Sequence, residues 1–233
     1  MSAAPELTLL TLTWNEGVVL DDFLAKAKSH IVLAGAVELL LIDAGSTDGT
    51  VEIAQRHGAR VVRQSAPGYG QAYREGLELA RGKWIITMDP DGSHPPEFFP
   101  ELWNRREGAD LVMGSRYLAE KGDLRQGLRK AMSWFLNQVF AKLLGVPLTD
   151  FSGGYRLYRA SAVHSIESQA PHYDVVADVV LKLHGHGFKV VEIPYHYQVR
   201  KAGASKARLL SYSWSYVKTL ARLWWWLRFS RDK

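Results

Sequence analysis

The run Leu39-Leu40-Leu41-Ile42-Asp43 is the strongest indication of the fold, because four consecutive aliphatic residues are followed at once by an acid. A continuous apolar run of this kind is typical of a strand that is buried on both faces of a parallel sheet. Outward from it, short apolar segments alternate with predicted helices at Val18–Lys28, Thr50–His57, Gln71–Arg81 and Glu97–Glu107. The predicted strands are Leu7–Leu12, Val37–Ile42, Arg60–Arg63, Trp84–Met88 and Leu111–Met113. This alternation predicts an α/β fold, with a mostly parallel sheet flanked by helices.

The second half of the chain is less regular. Its predicted elements are a long amphipathic helix over Leu124–Leu144, strands at Gly154–Tyr158 and Phe188–Ile193, a helix from about Asp174 to His186, and an aromatic, basic helix over Leu209–Arg228. On the helix between the two strands, we expect Asp178 to lie on a solvated face.

Composition and charge exclude several classes of protein. The 233 residues fit one large domain or two small ones with a full core, and 47% hydrophobic residues exclude a disordered chain. The absence of cysteine excludes a disulfide scaffold, thiolate zinc sites and thiol catalysis. The net charge of +5 is unevenly distributed, since residues 200–233 carry +8 and the remainder −3. This asymmetry predicts a local anionic partner at one end rather than nucleic acid.

We expect neither a signal peptide nor a transmembrane helix. The first basic residue is Lys26, and the early apolar run is short and broken by threonine, so we predict no signal peptide. The best candidate for a transmembrane helix, Leu209–Phe229, is interrupted by three cations, whereas a spanning helix needs about 20 apolar residues.

Acidic residues follow two predicted strands, at the edge where parallel sheets bind ligands. Asp89-Pro90-Asp91-Gly92 comes directly after the fourth strand, and its proline and glycine favour a turn. Because two close carboxylates repel each other, Mg²⁺ or Mn²⁺ is their natural partner, with substrate phosphates as further ligands. The alternative is an ordinary polar turn in which the aspartates cap the backbone.

Asp43 is a candidate acceptor for hydrogen bonds from a nucleobase or ribose; the alternative is a turn residue that bonds its own backbone.

Basic residues also recur at four separated points: Arg116, Arg129, Arg200 and Lys206. Each alone is typical of a solvated charge. Beside a metal site they favour a substrate rich in phosphate, since arginine binds phosphate in a planar, bidentate way.

Six motifs occur in an order and spacing that together resemble one enzyme family. They are Thr13-Trp14-Asn15-Glu16, Asp43-x-Gly45-Ser46-x-Asp48-Gly49-Thr50, Met88-Asp89-x-Asp91-x-x-His94-Pro95-Pro96-Glu97, Gly114-Ser115-Arg116-Tyr117, Asp150…Gly154-Tyr155-Arg156 and Arg200-x-x-Gly203-x-Ser205-Lys206. Over nearly the whole chain, they resemble the inverting nucleotide-sugar glycosyltransferases of GT-A (Rossmann-like) fold. Within these, the chain looks most similar to the dolichol-phosphate mannosyltransferases, or polyprenyl-phosphate mannose synthases.

The resemblance implies roles for individual residues. The nucleotide would be held by Thr13, Asn15, Glu16 and Asp43, and a divalent metal on the diphosphate by Asp89 and Asp91, with Ser93 at a third position. The lipid phosphate would be received by Ser115, Arg116, Arg129 and Ser133, while Arg200 and Lys206 close over the donor. The expected catalytic residues are Asp91, Arg116 and Arg129.

The implied reaction is a single in-line displacement that moves a sugar onto a polyprenyl or dolichyl phosphate. Mannose from GDP-mannose is the favoured donor, and UDP-glucose or another nucleotide sugar is the alternative. Two departures weaken the preference for mannose: Ala44 replaces a usual acid, and Ser93 replaces a usual glutamine, so that water would take that ligand position. Gly153 also stands where the family tends to have serine. A degenerate transferase that binds nucleotide without turnover stays open.

The resemblance places a GT-A domain over residues 1–206, and residues 207–233 are predicted to form a basic, aromatic helix. Its cations interleave with Trp214, Trp224, Trp225 and Trp226, a mixture that suits a bilayer interface. We therefore expect a cytoplasmic protein, peripherally associated with a membrane surface and not with nucleic acid. A core-packing helix is the alternative for the tail, and a separate membrane subunit stays open. The alternative of another class is a non-catalytic membrane-surface or nucleic-acid-binding protein.

Overall fold

The computed structural model describes residues 4–119, 128–197 and 209–229. Within these residues the chain forms seven strands and eight α-helices. The strands are β1 (Leu7–Thr13), β2 (Val37–Asp43), β3 (Arg60–Arg63), β4 (Trp84–Thr87), β5 (Leu111–Ser115), β6 (Arg156–Arg159) and β7 (Val190–Pro194). The helices are α1 (Gly17–Ile31), α2 (Thr50–Arg56), α3 (Tyr69–Leu79), α4 (Phe99–Asn104), α5 (Leu128–Leu144), α6 (Ala160–Val163), α7 (Val175–Gly185) and α8 (Leu209–Phe229).

The strands form one sheet in the order β3-β2-β1-β4-β6-β5-β7. Strand β6 runs antiparallel to its neighbours β4 and β5, and the other pairs are parallel. The α/β fold with a mostly parallel sheet is therefore confirmed. The carboxyl ends of β2, β1 and β4 lie side by side at one edge, where open α/β sheets bind their ligands.

The aliphatic run in β2 is buried on both faces of the sheet. Leu40 and Ile42 lie in one apolar cluster, together with side chains of α3 and α7. Leu39 and Leu41 lie in the other cluster, against α1 and α4. None of the four is more than 8% exposed. Because burial of each such side chain contributes about 1.5–3 kcal/mol, this run holds β2 between the two apolar layers that cover the sheet.

Helix α8 packs against α7 through apolar and polar contacts. Leu223 is fully buried in the cluster that contains α7. Thr219 Oγ1 donates to Asp174 at 2.6 Å, and Arg222 Nη2 donates to Asp178 at 2.9 Å. Both aspartates are fully buried. The expectation of a solvated Asp178 is wrong, because a cation from a distant part of the chain covers and pairs with it.

The predicted helix over Glu97–Glu107 is divided in the structure, and the predicted helix over Leu124–Leu144 is described only in part. The segment predicted as one helix over Glu97–Glu107 is a 3₁₀ turn at Pro96–Phe98 followed by the short α4. Pro100 lacks the amide that would continue the hydrogen-bond ladder from that turn. The helix predicted over Leu124–Leu144 is described from Leu128 to Leu144, and residues 120–127 lie outside the described part.

No helix in the described ranges has both the length and the apolar composition needed to cross a membrane. The predicted boundary between residues 206 and 207 lies outside the described residues.

Candidate active site

The sheet brings the predicted site residues to one edge. Thr13 and Asp43 are paired in the register of β1 with β2. Strand β4, the other neighbour of β1, leads into Asp89 and Asp91. Ser115 ends β5, which runs in the same direction as β4 because the antiparallel β6 lies between them. Residues that are far apart in sequence therefore meet at one end of the sheet.

Asp43 organises the turn that follows β2. Its carboxylate accepts hydrogen bonds from the amides of Gly45 and Ser46, at 2.8 and 2.9 Å, and from Ser46 Oγ at 2.6 Å. Thr13 Oγ1 donates to the same carboxylate at 3.1 Å, and Asp43 is 3% exposed. This is the geometry of a turn residue that bonds its own backbone, and a nucleotide contact by Asp43 and Thr13 stays a prediction.

The loop after β1 is joined to the loop after β2. Asn15 has a φ of 54°, its amide donates to Ser46 Oγ at 2.8 Å, and its Oδ1 accepts from the Thr47 amide at 2.9 Å. The Glu16 amide donates to Thr50 Oγ1 at 2.9 Å. These bonds fix the shape of the edge, and the predicted nucleotide contacts of Asn15 and Glu16 stay predictions.

Sequence reasoning missed two side chains at this edge. Trp14 is 49% exposed and directly precedes Asn15 in the loop after β1. Arg63 is the last residue of β3 and is exposed, and a Cβ atom added to Gly45 would lie 2.9 Å from Arg63 Nη2. The signal for Arg63 is its position as the last residue of a predicted strand, at the same sheet edge as Asp43.

The Asp89-to-Ser93 turn follows β4 with Gly92 at a φ of 85°. The Asp89 side chain is 37% exposed, whereas Asp91 is 8% exposed and its Oδ1 accepts from the Ser93 amide at 2.9 Å. Ser93 is 1% exposed, and its carbonyl accepts a hydrogen bond from Tyr195 OH. The turn therefore presents two carboxylates on a backbone that is held by the hydrogen bond from Tyr195.

The donor set of this turn fits a hard divalent cation. Two carboxylates one residue apart supply oxygen ligands of the kind that Mg²⁺ and Mn²⁺ prefer. Among the described residues, no three His, Asp or Glu side chains are grouped so as to hold a metal ion. An ion at Asp89 and Asp91 would therefore take its remaining ligands from substrate or water, which suits a diphosphate.

Arg116, after β5, forms a buried ion pair with Asp150. Its Nε donates to Asp150 Oδ2 at 2.7 Å and its Nη2 to Oδ1 at 2.6 Å, with a further bond from Nη2 to Ser152 Oγ at 2.7 Å. Burial by itself would raise the pKa of Asp150, but the charge and hydrogen bonds of Arg116 hold that pKa below its ordinary value of 3.8. Arg116 is thus held rigidly, and its predicted contact with a lipid phosphate stays a prediction.

Glu192 of β7 holds the loop that carries Asp150, and sequence reasoning gave no indication of it. Its carboxylate accepts from the amides of Thr149 and Asp150, at 2.8 and 2.9 Å. Burial raises the pKa of Glu192 above its ordinary value. Ser115 is fully buried, and its Oγ lies 2.6 Å from Thr149 Oγ1. In this conformation Ser115 supports the loop from within.

Ser133 joins the same network from α5. Tyr117 OH donates to Ser133 Oγ at 2.9 Å, and Ser152 Oγ lies 3.2 Å from it. Asn137, one turn later, donates to the Ser133 carbonyl and accepts from the Phe151 amide at 2.6 Å. The structure therefore brings Ser115, Arg116 and Ser133 into one hydrogen-bonded network, and their predicted contact with a lipid phosphate stays a prediction.

Three of the predicted cations lie wholly or partly outside the described residues. Arg129 lies in the first turn of α5, and its side chain is outside the described part. Arg200 and Lys206 fall outside the described residues. Their roles stay predictions.

Comparisons with known proteins agree with this geometry. The sequence profile of Glycosyl transferase family 2 matches residues 8–166. Polyprenol monophosphomannose synthase of Mycolicibacterium smegmatis is 36% identical over 186 residues, covering 73% of this chain and 70% of that protein. Dolichyl-phosphate hexose transferase of Haloferax volcanii is 28% identical over 202 residues, covering 86% of each.

The fold is also that of a solved enzyme. Glucosyl-3-phosphoglycerate synthase of Mycobacterium tuberculosis, in complex with Mn²⁺, UDP and phosphoglyceric acid, superposes with a TM-score of 0.75 at 20% identity, covering 94% of this chain and 78% of that one. The sheet with its acidic carboxyl edge is thus a GT-A fold, and the match of the profile to two thirds of the sequence decides the family. The chain belongs to glycosyltransferase family 2.

Proposed function

We propose that this protein transfers a sugar from a nucleotide diphosphate to a polyprenyl phosphate, with inversion at the anomeric carbon. The observation that carries the proposal is the meeting, at one sheet edge, of the acidic turn after β4 with the Arg116–Asp150 pair after β5. An acidic turn suits a metal-bound diphosphate, and a rigidly held arginine suits a phosphate acceptor. The similarity to named polyprenol and dolichyl phosphate sugar transferases supports this acceptor class.

In this proposal the acceptor supplies its own nucleophile. A phosphate monoester loses its second proton near pH ~6, so the attacking oxygen is anionic at pH 7. The protein then needs no strong general base; it has to orient the anion and relieve its repulsion from the donor. We assign this to Arg116, which Asp150 holds in place, and to Arg129. Ser115 and Ser133 support the loop 149–152 that carries Asp150.

Asp89 and Asp91 are the residues that would hold Mg²⁺ or Mn²⁺, with Ser93 or a water beside them. When bound, the ion stabilises the negative charge that develops on the departing nucleotide. Mn²⁺ or Mg²⁺ is bound together with UDP in structures of the M. tuberculosis synthase, which supports the assignment. Arg200 and Lys206 are proposed to close over the donor.

GDP-mannose is the donor that we propose. The residues that would frame the nucleotide are Thr13, Asn15, Glu16 and Asp43. Trp14 offers an exposed face on which a base can stack. Arg63 lies next to the Asp43 turn, and guanine presents O6 and N7, which an arginine can contact with two parallel hydrogen bonds. UDP-glucose remains the alternative donor.

Arg63→Ala is expected to weaken the binding of GDP by about tenfold, since a bidentate contact of arginine with guanine contributes about 1–3 kcal/mol of discrimination. The binding of UDP should change by less than about threefold, because uracil lacks the paired acceptors. Isothermal calorimetry with Mg²⁺ measures both constants. Arg56→Ala, an exposed arginine of α2, is the matched control. Equal losses for GDP and UDP would contradict base reading by Arg63.

We also propose that the outer faces of α5 and α8 contact a membrane surface. The large exposed apolar side chains of these two helices are Trp134, Phe135, Leu143, Val217, Trp225 and Phe229. Lys218 and Arg228 are exposed beside those of α8. Aromatic rings next to cations suit the headgroup layer of an anionic bilayer. In this proposal one face of α8 packs against the core, and the opposite face contacts the membrane.

The double variant Trp225→Ala and Phe229→Ala is expected to bind vesicles of phosphatidylglycerol and phosphatidylcholine at least about tenfold more weakly, because it removes two side chains that would enter the interface. Vesicle co-sedimentation measures the change. The control is Val32→Ala with Leu33→Ala, which removes exposed apolar side chains at the end of α1. Equal sedimentation of both double variants would contradict the assignment of α8.

The acceptor class is tested with labelled GDP-mannose and labelled UDP-glucose, each offered with polyprenyl monophosphate or with 3-phosphoglycerate. The proposal predicts label in the organic phase with the polyprenyl phosphate and none transferred to phosphoglycerate. Label found only in a water-soluble phosphoglycerate product would replace the lipid acceptor by a soluble one.

A further inference from the structure

The side chain of His94 accepts a hydrogen bond from the backbone of the acidic turn, Asp89 to Ser93. The backbone amide of Asp89 donates a hydrogen bond to His94 Nδ1 at 2.8 Å, and His94 is 4% exposed. Because Nδ1 accepts this bond, the neutral ring carries its proton on Nε2. His94 therefore contacts the peptide from which the Asp89 carboxylate extends, and it does so as an acceptor.

Packing fixes the orientation of the His94 ring. It stacks on Tyr155 with ring centroids 5.0 Å apart and planes at 27°. Tyr155 OH in turn donates to the Pro95 carbonyl at 2.9 Å, which ties the ring platform to the residue after His94. A Cβ atom on Gly154 would lie 3.3 Å from His94 Cε1, so the loop before β6 also packs closely against the ring. The ring is thus locked with Nδ1 toward Asp89.

The far end of the turn is held by hydrogen bonds to which His94 does not contribute. Asp91 Oδ1 accepts from the Ser93 amide, and the Ser93 carbonyl accepts from Tyr195 OH. His94 thus bonds the segment that carries Asp89, whereas other groups hold the segment that carries Asp91. Loss of the Nδ1 acceptor would therefore change the relative direction of the two carboxylates rather than dissolve the turn.

We propose that His94 is a positioning residue for the metal-binding turn. By accepting the Asp89 amide it fixes the direction of the Asp89 carboxylate, and so sets the affinity for a divalent cation and a nucleotide diphosphate without contacting either. The inference rests on the proposed function, since it takes Asp89 as a metal ligand. Loss of a partner that orients a metal ligand typically lowers metal affinity about 10–100-fold.

Three substitutions separate the acceptor from the ring. His94→Asn places an amide oxygen at the position of Nδ1, His94→Gln places it one bond farther away, and His94→Phe keeps the ring without an acceptor. Binding of Mn²⁺ in the presence of GDP or UDP is followed by the electron paramagnetic resonance signal of free Mn²⁺, and thermal unfolding checks the fold.

We expect Mn²⁺ affinity within about threefold of wild type for His94→Asn, and a loss of about 10–100-fold for His94→Gln and His94→Phe. A purely structural role of the stacked ring predicts the opposite order, with His94→Phe nearest to wild type. In turnover, the KM for the metal should be highest for the variants that bind Mn²⁺ most weakly. The change in kcat at saturating metal should be smaller.

The outcomes distinguish this inference from the proposed function. If wild type binds Mn²⁺ and His94→Phe binds it equally well, the positioning role of His94 is overturned while the metal site stands. If wild type binds no Mn²⁺ with either nucleotide, and Asp89→Asn changes nothing, the metal assignment and the role of His94 are both overturned.

Discussion

Asp91→Asn is expected to lower the rate of sugar transfer by about 10²–10³-fold, the loss typical when one group that stabilises a developing charge is removed. The leaving group is a nucleoside diphosphate, and Asp91 is one of only two carboxylates that its turn presents to a cation. The substitution keeps the Oδ1 atom that accepts the Ser93 amide, so the turn should survive. Initial rates of lipid-linked sugar formation at saturating donor measure the loss.

Glu101→Gln is the matched control for Asp91→Asn, because it also replaces a carboxylate by an amide, on the exposed surface of the neighbouring helix α4. It should leave the rate within about twofold of wild type, in line with its exposed position. A rate for Asp91→Asn within tenfold of wild type would remove Asp91 from the catalytic centre.

Asp150→Ala is expected to lower the free energy of unfolding by about 3–5 kcal/mol, because it leaves the Arg116 guanidinium buried without its partner. Asp150 is fully buried and Arg116 is 5% exposed, so water cannot replace the lost carboxylate without rearrangement. Two bonds of 2.6 and 2.7 Å join the pair. Urea unfolding at pH 7 measures the difference.

The pH dependence of this stabilisation follows from the direction of the shift. The pKa of Asp150 lies below its ordinary value of 3.8, so the folded state binds its proton less readily than the unfolded chain. The stabilisation is complete above that ordinary value and is lost as the pH falls through the lower, folded-state pKa. The urea midpoints of wild type and Asp150→Ala should therefore converge only in that acid range.

Glu6→Ala is the control for the ion pair, since Glu6 pairs with the exposed Lys83 at 2.8 Å and is itself only partly buried. Exposed pairs contribute little, so the stability should change only slightly. If Asp150→Ala and Glu6→Ala lowered the stability equally, the buried pair would have no special role in holding Arg116.

The fold could be predicted from sequence because its determinants are local. The run Leu39–Ile42 indicated a strand buried on both faces, and its side chains divide between two clusters on opposite sides of the sheet. The acids at Asp43 and Asp89 directly follow predicted strands, so the parallel topology alone brought them to one edge.

The partners of the charged residues could not be predicted in this way. Arg116 meets Asp150 across 34 residues, and Arg222 meets Asp178 across 44. A single cation or acid in a sequence is typical of a solvated charge whether or not a partner covers it in the fold. The burial of Asp150 and Asp178 beside these cations is a property of tertiary packing, which no local pattern carries.

The most direct test of the central claim combines purified protein, GDP-mannose, polyprenyl monophosphate and Mg²⁺ in one reaction. We expect equal amounts of nucleoside diphosphate and lipid-linked sugar, loss of both with a chelator, and recovery when Mg²⁺ or Mn²⁺ is restored. Release of nucleoside diphosphate without lipid-linked sugar, or no product with any nucleotide sugar, would contradict it.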